Sequence, residues 1–337
     1  MTLVVAATAG LLVVFLWNAD LGRVAADLRE ADAGLLLLAL ATIGVNVLVR
    51  SLRWQYLLAP LGATAFRHAA EATIIGFAAS AVLPARAGEI IRPYVLARRE
   101  QLSTAGAFAT IIIERLLDLL TVLVLFGASV LVFRPTTGDL DPALWRAIEV
   151  GGLTAGAAAV AALILLAYLA GDIGRIWRLT GWMARRLPAR FARGAEQLAG
   201  TFAAGLASVR QPRRLLVAAA WSVPLWLSIA LGTWATTRAL GIAMPFAGTF
   251  PLLILLVVGV AVPTPAAVGG LDEAFRLGTV ALFAAPADRA IAAAIVLHAI
   301  SYVPVTVAGL ALAAREGLDL TRTARLARQD APGGTAA

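Results

Sequence analysis

Long apolar runs alternate with short arginine-rich segments along the chain, and this alternation predicts a bundle of membrane-spanning helices. A helix needs about 20 mostly apolar residues to cross a bilayer core of about 30 Å. Six runs are predicted to span the membrane: residues 2–17, 34–58, 104–133, 147–170, 215–237 and 290–313. The predicted fold class is therefore an all-α polytopic membrane protein.

Two further apolar runs are too short to cross, and proline and glycine interrupt each of them. Residues 69–83 precede one break and residues 250–262 precede the other. At 1.5 Å per residue the first run measures about 22 Å. We predict that each run turns back at its break as a re-entrant hairpin, over about 69–99 and about 250–283. For the first, a single span with a proline-kinked end is the alternative.

The two breaks share a sequence pattern. Each runs from Ala-Val through proline to glycine and then to Glu-x-x-Arg, which is Glu89 with Arg92 and Glu273 with Arg276. We interpret them as two copies of one structural motif. Each half then reads span, span, hairpin, span, and because three crossings are an odd number, the halves have opposite topology, as in inverted-repeat transporters. The predicted units are two membrane repeats and a cytoplasmic tail: 1–146, 147–313 and 314–337.

Charge predicts the orientation. The net charge of +8 is carried by arginine, since the chain has no lysine. Arginines cluster in residues 50–67, in residues 171–214 and in the tail, so these segments and both termini are predicted to face the cytoplasm, in the inner (cell) membrane. Within 171–214, apolar residues at helical spacing favour amphipathic helices on the membrane surface over a partner-binding helix. Arg50, Arg53 and Trp54 are predicted to anchor their helix at the water interface.

Composition narrows the classes of function. Hydrophobic residues make up 61% of the chain, whereas about 45–50% is usual for a soluble domain, so the arginine surplus indicates lipid headgroups rather than nucleic acid. Cysteine is absent, and His68 and His298 are far apart in sequence, which disfavours a zinc site. The sequence contains no nucleotide-binding loop and no Ser/His/Asp set, so we expect no cofactor, no metal and no catalytic residue. The first apolar run has no basic leader and is expected to be a retained helix.

Charged residues interrupt the apolar segments. They are Glu89, Arg92, Glu114, Arg115, Asp118, Glu273 and Arg276. An isolated charge costs about 2.5–3.5 kcal/mol at the centre of a membrane helix, so these side chains are expected to be paired, solvated or close to the interface. Two arrangements stay open: an ion-pair network that locks the hairpins to the 104–133 helix, and a polar cavity that holds a lipid headgroup.

The cavity hypothesis assigns roles to particular residues. Helix N-termini near Gly88 and Gly270 would aim backbone N–H groups at the membrane centre, where they attract an anion such as a phosphate. Arg86, Arg92 and Arg276 would add bidentate contacts, and the carboxylates would balance charge or contact a cationic headgroup. The candidate substrate-binding residues are Arg86, Gly88, Glu89, Arg92, Glu114, Arg115, Asp118, Gly270, Glu273 and Arg276.

Asn46 and His298 also lie within apolar runs. Asn46 is expected to bridge two helices or to line the same cavity. His298 is expected to make a helix contact rather than to relay protons. Glu114 and Asp118, four residues apart, would suit acid–base chemistry, although acidic pairs in membrane helices more often bind protons or arginine.

Three motifs carry a resemblance to a known family. They are LPARAGEIIRPYVL at residues 83–96, ERLLD at 114–118, and a looser segment rich in proline and glycine that runs from Pro263 to Glu273. With these motifs the chain resembles the lysylphosphatidylglycerol synthase transmembrane region family, also called flippase-like domain proteins. In the third motif Ala266, Ala267 and Val268 precede the glycine pair, which departs from the family pattern.

The resemblance implies lipid translocation. Relatives are associated with aminoacylated phosphatidylglycerol, with polyprenyl-phosphate sugars or with hopanoid pathways. The soluble aminoacyl-transfer domain is absent from this sequence, so we do not expect synthase activity. The expected function is a flippase or scramblase for an anionic or aminoacylated phospholipid or a polyprenyl-phosphate lipid. The alternatives are a membrane-embedded enzyme with Glu114 or Asp118 as base, and a non-catalytic partner of a lipid-modifying enzyme.

Overall fold

A computed structural model describes residues 21–83, 86–133, 142–170, 212–261 and 264–329, together with a few isolated positions between 172 and 181. The regular structure of these residues is helical throughout, without a strand. The predicted first span, 2–17, lies outside the described residues. So does nearly all of the segment 171–214 that was predicted to lie on the membrane surface.

Five helices lie between residues 21 and 133, in the part of the N-terminal half that the structure describes. They are α1 (Leu21–Glu30), α2 (Ala33–Leu58), α3 (Phe66–Val82), α4 (Gly88–Glu100) and α5 (Thr104–Ser129). Side-chain caps fix two of the starts, because the Asp32 carboxylate accepts the Leu35 N–H at 3.0 Å and the Ser103 hydroxyl accepts the Gly106 N–H at 3.2 Å. The bounds of α2 to α5 follow the predicted runs to within a few residues.

Six α-helices and two short 3₁₀ turns lie within the described residues of the C-terminal part. The α-helices are α6 (Pro142–Ala170), α7 (Pro212–Ala239), α8 (Thr249–Ala261), α9 (Gly270–Phe283), α10 (Ala287–Arg315) and α11 (Leu320–Gln329). The 3₁₀ turns are Phe246–Gly248 before α8 and Pro265–Ala267 before α9. The helices again end where proline and glycine interrupt the apolar runs.

Three described helices are long and apolar enough to cross a membrane: α2, α7 and α10. Helix α5 has the same length as α2, 26 residues, but its apolar run contains three charged residues, Glu114, Arg115 and Asp118. A fourth apolar stretch, Glu149–Leu165, lies within α6. The polytopic helical class is thus observed.

Both broken segments fold back on themselves through close glycine contacts. A Cβ added to Gly88 would lie 1.7 Å from the carbonyl oxygen of Gly76, so α3 and α4 touch backbone to backbone. A Cβ added to Gly259 would lie 2.4 Å from the carbonyl oxygen of Gly270, so α8 and α9 also touch at a glycine pair. The two helix pairs are therefore built on the same glycine-to-glycine crossing.

The two hairpins open at opposite ends of α5. At its start, Leu61 packs on Gly106, and the ends of the first hairpin meet where the Ala65 N–H donates to a carboxylate oxygen of Glu100 at 2.8 Å. Beyond the other end of α5, the Phe133 ring packs on Phe283 with centroids 5.6 Å apart, and both rings face Gly248. The ends of the second hairpin therefore meet at the opposite end of the molecule.

The tips of the hairpins meet between these two ends. Arg86 in the first tip donates a hydrogen bond from Nη2 to the carbonyl oxygen of Val260, in the last turn of α8. The backbone at both tips is left-handed, with φ of 52° at Arg86, 52° at Ala266 and 59° at Ala267. Non-glycine residues seldom adopt this conformation, so packing holds the tips in strained turns.

Candidate functional site

Arg53 is the centre of a buried charge network. Its side chain is fully buried, and Nη1 donates to Asp118 at 2.6 Å while Nη2 donates to Glu114 at 3.3 Å, so one guanidinium joins both carboxylates of α5. Nη1 also donates to the Ser222 hydroxyl at 2.6 Å, which ties α7 to the same group. Three helices thus converge on one arginine.

Two further arginines complete the network. Arg50 pairs with Asp118 at 3.3 Å, and Arg92 of α4 pairs with Glu114 at 2.8 Å. The Arg92 guanidinium also lies 3.8 Å from the centre of the Trp54 ring, a cation–π contact. This links the first hairpin to α2 and α5, whereas the ion-pair hypothesis expected the network to hold both hairpins.

The prediction that Arg50, Arg53 and Trp54 anchor α2 at the water interface was wrong. All three are buried, and Trp54 Nε1 donates to the hydroxyl of Thr110 at 3.0 Å. The arginines face inward because they form ion pairs with carboxylates on α5. Their spacing gave a signal: residues three apart on α2 share a face, as do Glu114 and Asp118 on α5.

Positive charge exceeds negative charge at this site. Its charged members are Arg50, Arg53, Arg86, Arg92, Arg115, Glu89, Glu114 and Asp118. Five arginines face three carboxylates, and arginine keeps its charge in proteins. Donors are left over as well: Nε and Nη2 of Arg92 and Nε of Arg115 are buried without a hydrogen-bond partner among the described residues.

An amphipathic cavity of about 330 Å³ lies in front of the network. Arg86, Glu89, Arg92 and Arg115 form its charged wall, and Gly88 at the start of α4 joins them. The facing wall combines apolar and hydroxyl side chains from α2, α7 and α10, among them Ile43, Thr42, Thr233, Leu297 and Ile300. One wall therefore suits an anion and the other suits a hydrocarbon chain.

The residues predicted to bind substrate divide into three groups. Arg86, Gly88, Glu89, Arg92 and Arg115 line the cavity. Glu114 and Asp118 lie behind its wall, where they hold the arginines. Gly270, Glu273 and Arg276 do not line it, and Arg276 Nε donates to Glu273 at 2.8 Å on the same helix.

Helix geometry explains why the second Glu-x-x-Arg does not line the cavity. The glycine crossings align Gly88 with Gly270. Glu89 is the next residue after its glycine, whereas Glu273 is the third after Gly270. Two further positions rotate a side chain by about 200° around a helix of 3.6 residues per turn. The second tip instead presents Thr264 and Ala266 to the cavity.

Asp272 and Asn46 have distinct roles near the cavity. Asp272 accepts the Gly269 N–H at 2.8 Å and contacts Nδ1 of His298 at 2.9 Å. Its position at the third residue of α9 is a recognised capping position, a signal that the sequence contained. Asn46 donates to the Ser228 hydroxyl at 3.3 Å and also lines the cavity, so both roles expected for it are observed.

Apolar helices, two broken helix pairs and a cavity lined partly by charged side chains define a helical membrane protein. Residues 1–309 match the family described as the lysylphosphatidylglycerol synthase TM region, and the chain belongs to that family. A region of 161 residues, 46% of this chain, is 32% identical to a protein named glycosyltransferase AglD from Haloferax volcanii. The match spans 25% of that protein.

Proposed function

We propose that the protein binds the phosphate headgroup of a membrane lipid in the cavity and moves that lipid between the two leaflets. The observation that carries the proposal is the surplus of arginine charge on one wall of a cavity whose other lining residues are mostly apolar or carry a hydroxyl group. Unpaired charge is costly inside a membrane, so we expect a wall with surplus positive charge to bind an anion.

A phosphate suits the guanidinium groups of this wall, where the Arg86 and Arg115 side chains are partly exposed and Arg92 lies behind them. Nε and Nη2 of Arg92 are buried next to the cavity without a partner among the described residues. An unpaired buried donor is costly, whereas charge-assisted bonds from arginine to phosphate are short and strong. The positive N-terminal end of α4 at Gly88 favours an anion at the same place.

The facing wall supports a lipid as the source of that phosphate. Ile43, Leu297 and Ile300 offer hydrocarbon surface opposite the arginines. A volume of about 330 Å³ is at the lower end of the range for ligand pockets. It accommodates a headgroup and the beginning of a chain, while the rest of the chain stays in the bilayer.

The proposed topology provides access from both leaflets. We place six spans and two re-entrant hairpins in an inverted repeat, with repeats over 1–146 and 147–313 and both termini in the cytoplasm. Three observations support this plan: the ends of each hairpin meet, the hairpins open at opposite ends of α5, and Arg86 touches Val260 where the tips meet. Transporters of this plan expose a central site alternately to each side.

A role next to an enzyme is the second candidate, because the related AglD is named a glycosyltransferase. In that role the cavity would present a lipid-linked substrate to a lipid-modifying partner. A base within the cavity is less well supported. Glu114 and Asp118 are held by arginines and lie behind the cavity wall.

Lipid translocation by purified protein in vesicles tests the proposal. Arg115 is suitable for substitution because it is 41% exposed and its nearest carboxylates are 3.9 and 4.0 Å away. We expect Arg115→Gln to slow translocation of phosphatidylglycerol by about 10- to 100-fold, since a hydrogen bond to a charged group contributes about 1.5–3 kcal/mol. The matched control is Arg67→Gln, outside the cavity, which should translocate at the wild-type rate. Equal rates for both variants would contradict the proposed site.

A further inference from the structure

We infer that His298 and Asp272 form a proton-binding site that couples to the cavity, so that an anionic headgroup crosses together with a proton. The inference rests on the proposed function and adds the co-substrate. His298 Nδ1 and an Asp272 carboxylate oxygen are 2.9 Å apart, and their side chains are 17% and 6% exposed. The headgroup proposal does not use this buried pair.

The pair lies directly behind the cavity wall. The His298 ring stacks on the ring of Tyr302 with centroids 4.8 Å apart, and Tyr302 lines the cavity. Arg86 of the charged wall lines the same cavity as Tyr302. The second oxygen of Asp272 accepts the Gly269 N–H and thereby fixes the second tip. The charge of the His298–Asp272 pair therefore acts on both the proposed headgroup site and the second tip.

The coupling between the proton and the headgroup follows from the charge of the His298–Asp272 pair. With a neutral imidazole the pair carries one negative charge, and with a proton bound it carries none. A negative charge behind the wall opposes an anion in the cavity, so a bound proton favours the anion. By linkage, a bound anion favours the proton to the same extent. A lipid with one negative charge and one proton then form a neutral cargo, which avoids the cost of moving net charge through the bilayer.

Charged groups on the helices that pack against α10 have other partners or lie at its ends. At its first turn Asp288 and Arg289 pair with Arg23 and Asp27 of α1, and after its last turn Glu316 pairs with Arg99. The charged and titratable side chains on the neighbouring elements are Arg86 on the first tip; Arg23, Asp27, Arg29 and Glu30 on α1; Arg50, Arg53 and Tyr56 on α2; Arg67, His68 and Glu71 on α3; Arg213, Arg214 and Arg238 on α7; and Asp272, Glu273 and Arg276 on α9. Among the described residues, Asp272 is the one that forms an ion pair with His298.

A purely structural role does not require histidine at this position. Asp272 caps α9 through the Gly269 N–H without help from the imidazole. An amide at position 298 would serve equally as a hydrogen-bond donor to Asp272, whereas histidine is the side chain that binds and releases protons near neutral pH. Substitution by glutamine therefore separates the two roles.

Vesicles with a pH gradient test the inference, with phosphatidylglycerol as the probe. For one proton per lipid, a gradient of about one pH unit predicts enrichment of the probe by roughly tenfold in the leaflet on the alkaline side. We expect this enrichment for the wild type and its loss in His298→Gln. Enrichment by His298→Gln equal to that of the wild type would overturn the inference.

Measurements of probe movement by the wild-type protein alone distinguish the two proposals. A probe that equilibrates rapidly but stays evenly distributed under the gradient would overturn the proton site and leave the proposed function intact. No protein-dependent movement of the probe would instead contradict the proposed function. As a second measurement, proton uptake when phosphatidylglycerol is added to the purified protein should appear in the wild type and be lost in His298→Gln.

Discussion

At the scale of single residues, arginine forms both the buried ion-pair network and the charged wall of the cavity. Arg53 satisfies two carboxylates and a hydroxyl from two neighbouring helices, and it is wholly buried. Arg92 uses one side of its guanidinium for Glu114 and leaves Nη2 without a described partner beside the cavity. The network therefore holds a cationic wall in place before any ligand binds.

Removing the central arginine should destabilise the protein strongly. Arg53→Met leaves Asp118 and Glu114 each with one fewer buried partner, and breaking a buried ion pair in this way costs about 3–5 kcal/mol. We expect a clear fall in the thermal unfolding midpoint of the purified protein. The control is Arg67→Met, whose side chain is 83% exposed and pairs with Glu71 on the surface, where such a pair contributes about 0.3–0.5 kcal/mol. Similar midpoints for the two variants would contradict the network.

The sequence predicted which residues carry charge, but it did not fully predict their partners. Glu114 and Asp118 were expected near the middle of a helix and are found there. Arg50 and Arg53 near the end of α2 were mistaken for interface anchors, because arginine next to a polar loop is common at membrane surfaces. Only the packing of α2 on α5 shows that they face the two carboxylates.

At the scale of elements, glycine contacts determine the shape of both hairpins. Gly76 and Gly88 join α3 to α4, and Gly259 and Gly270 join α8 to α9. Hydrophobic runs and proline breaks were sufficient to predict where these helices begin and end. The Glu-x-x-Arg match was not sufficient to predict which side chains face the cavity, since a shift of two positions turns Glu273 and Arg276 away from it.

Alanine substitutions should separate the crossing glycines from those in open positions. A Cβ at residue 88 would lie 1.7 Å from the Gly76 oxygen, so Gly88→Ala has to force α3 and α4 apart. Gly44 in α2 has nothing within 4 Å of its added Cβ, and alanine there should be neutral or stabilising by about 0.5–1 kcal/mol. We expect gel filtration and thermal unfolding to show damage for Gly88→Ala and not for Gly44→Ala. Equal behaviour of the two variants would argue against the crossing.

At the scale of the whole molecule, the two hairpins are arranged around α5. Leu61 and Gly106 mark the end of the molecule at which the first hairpin opens, and Gly248 and Phe133 mark the end at which the second one opens. The tips meet between these ends at the cavity. In our account a lipid headgroup binds at this meeting point, between the two leaflets.

The most direct test of this account is the side of the membrane on which each hairpin opens. Because the chain has no cysteine, single cysteines can be introduced and labelled with a reagent that does not cross membranes. Ala63→Cys and Gln101→Cys flank the first hairpin, and Ala243→Cys and Ala287→Cys flank the second; all four positions are exposed. We predict that the first two react only after the cells are permeabilised and that the second two react in intact cells. A pair whose members react from different sides, or two pairs that react from the same side, would contradict the account.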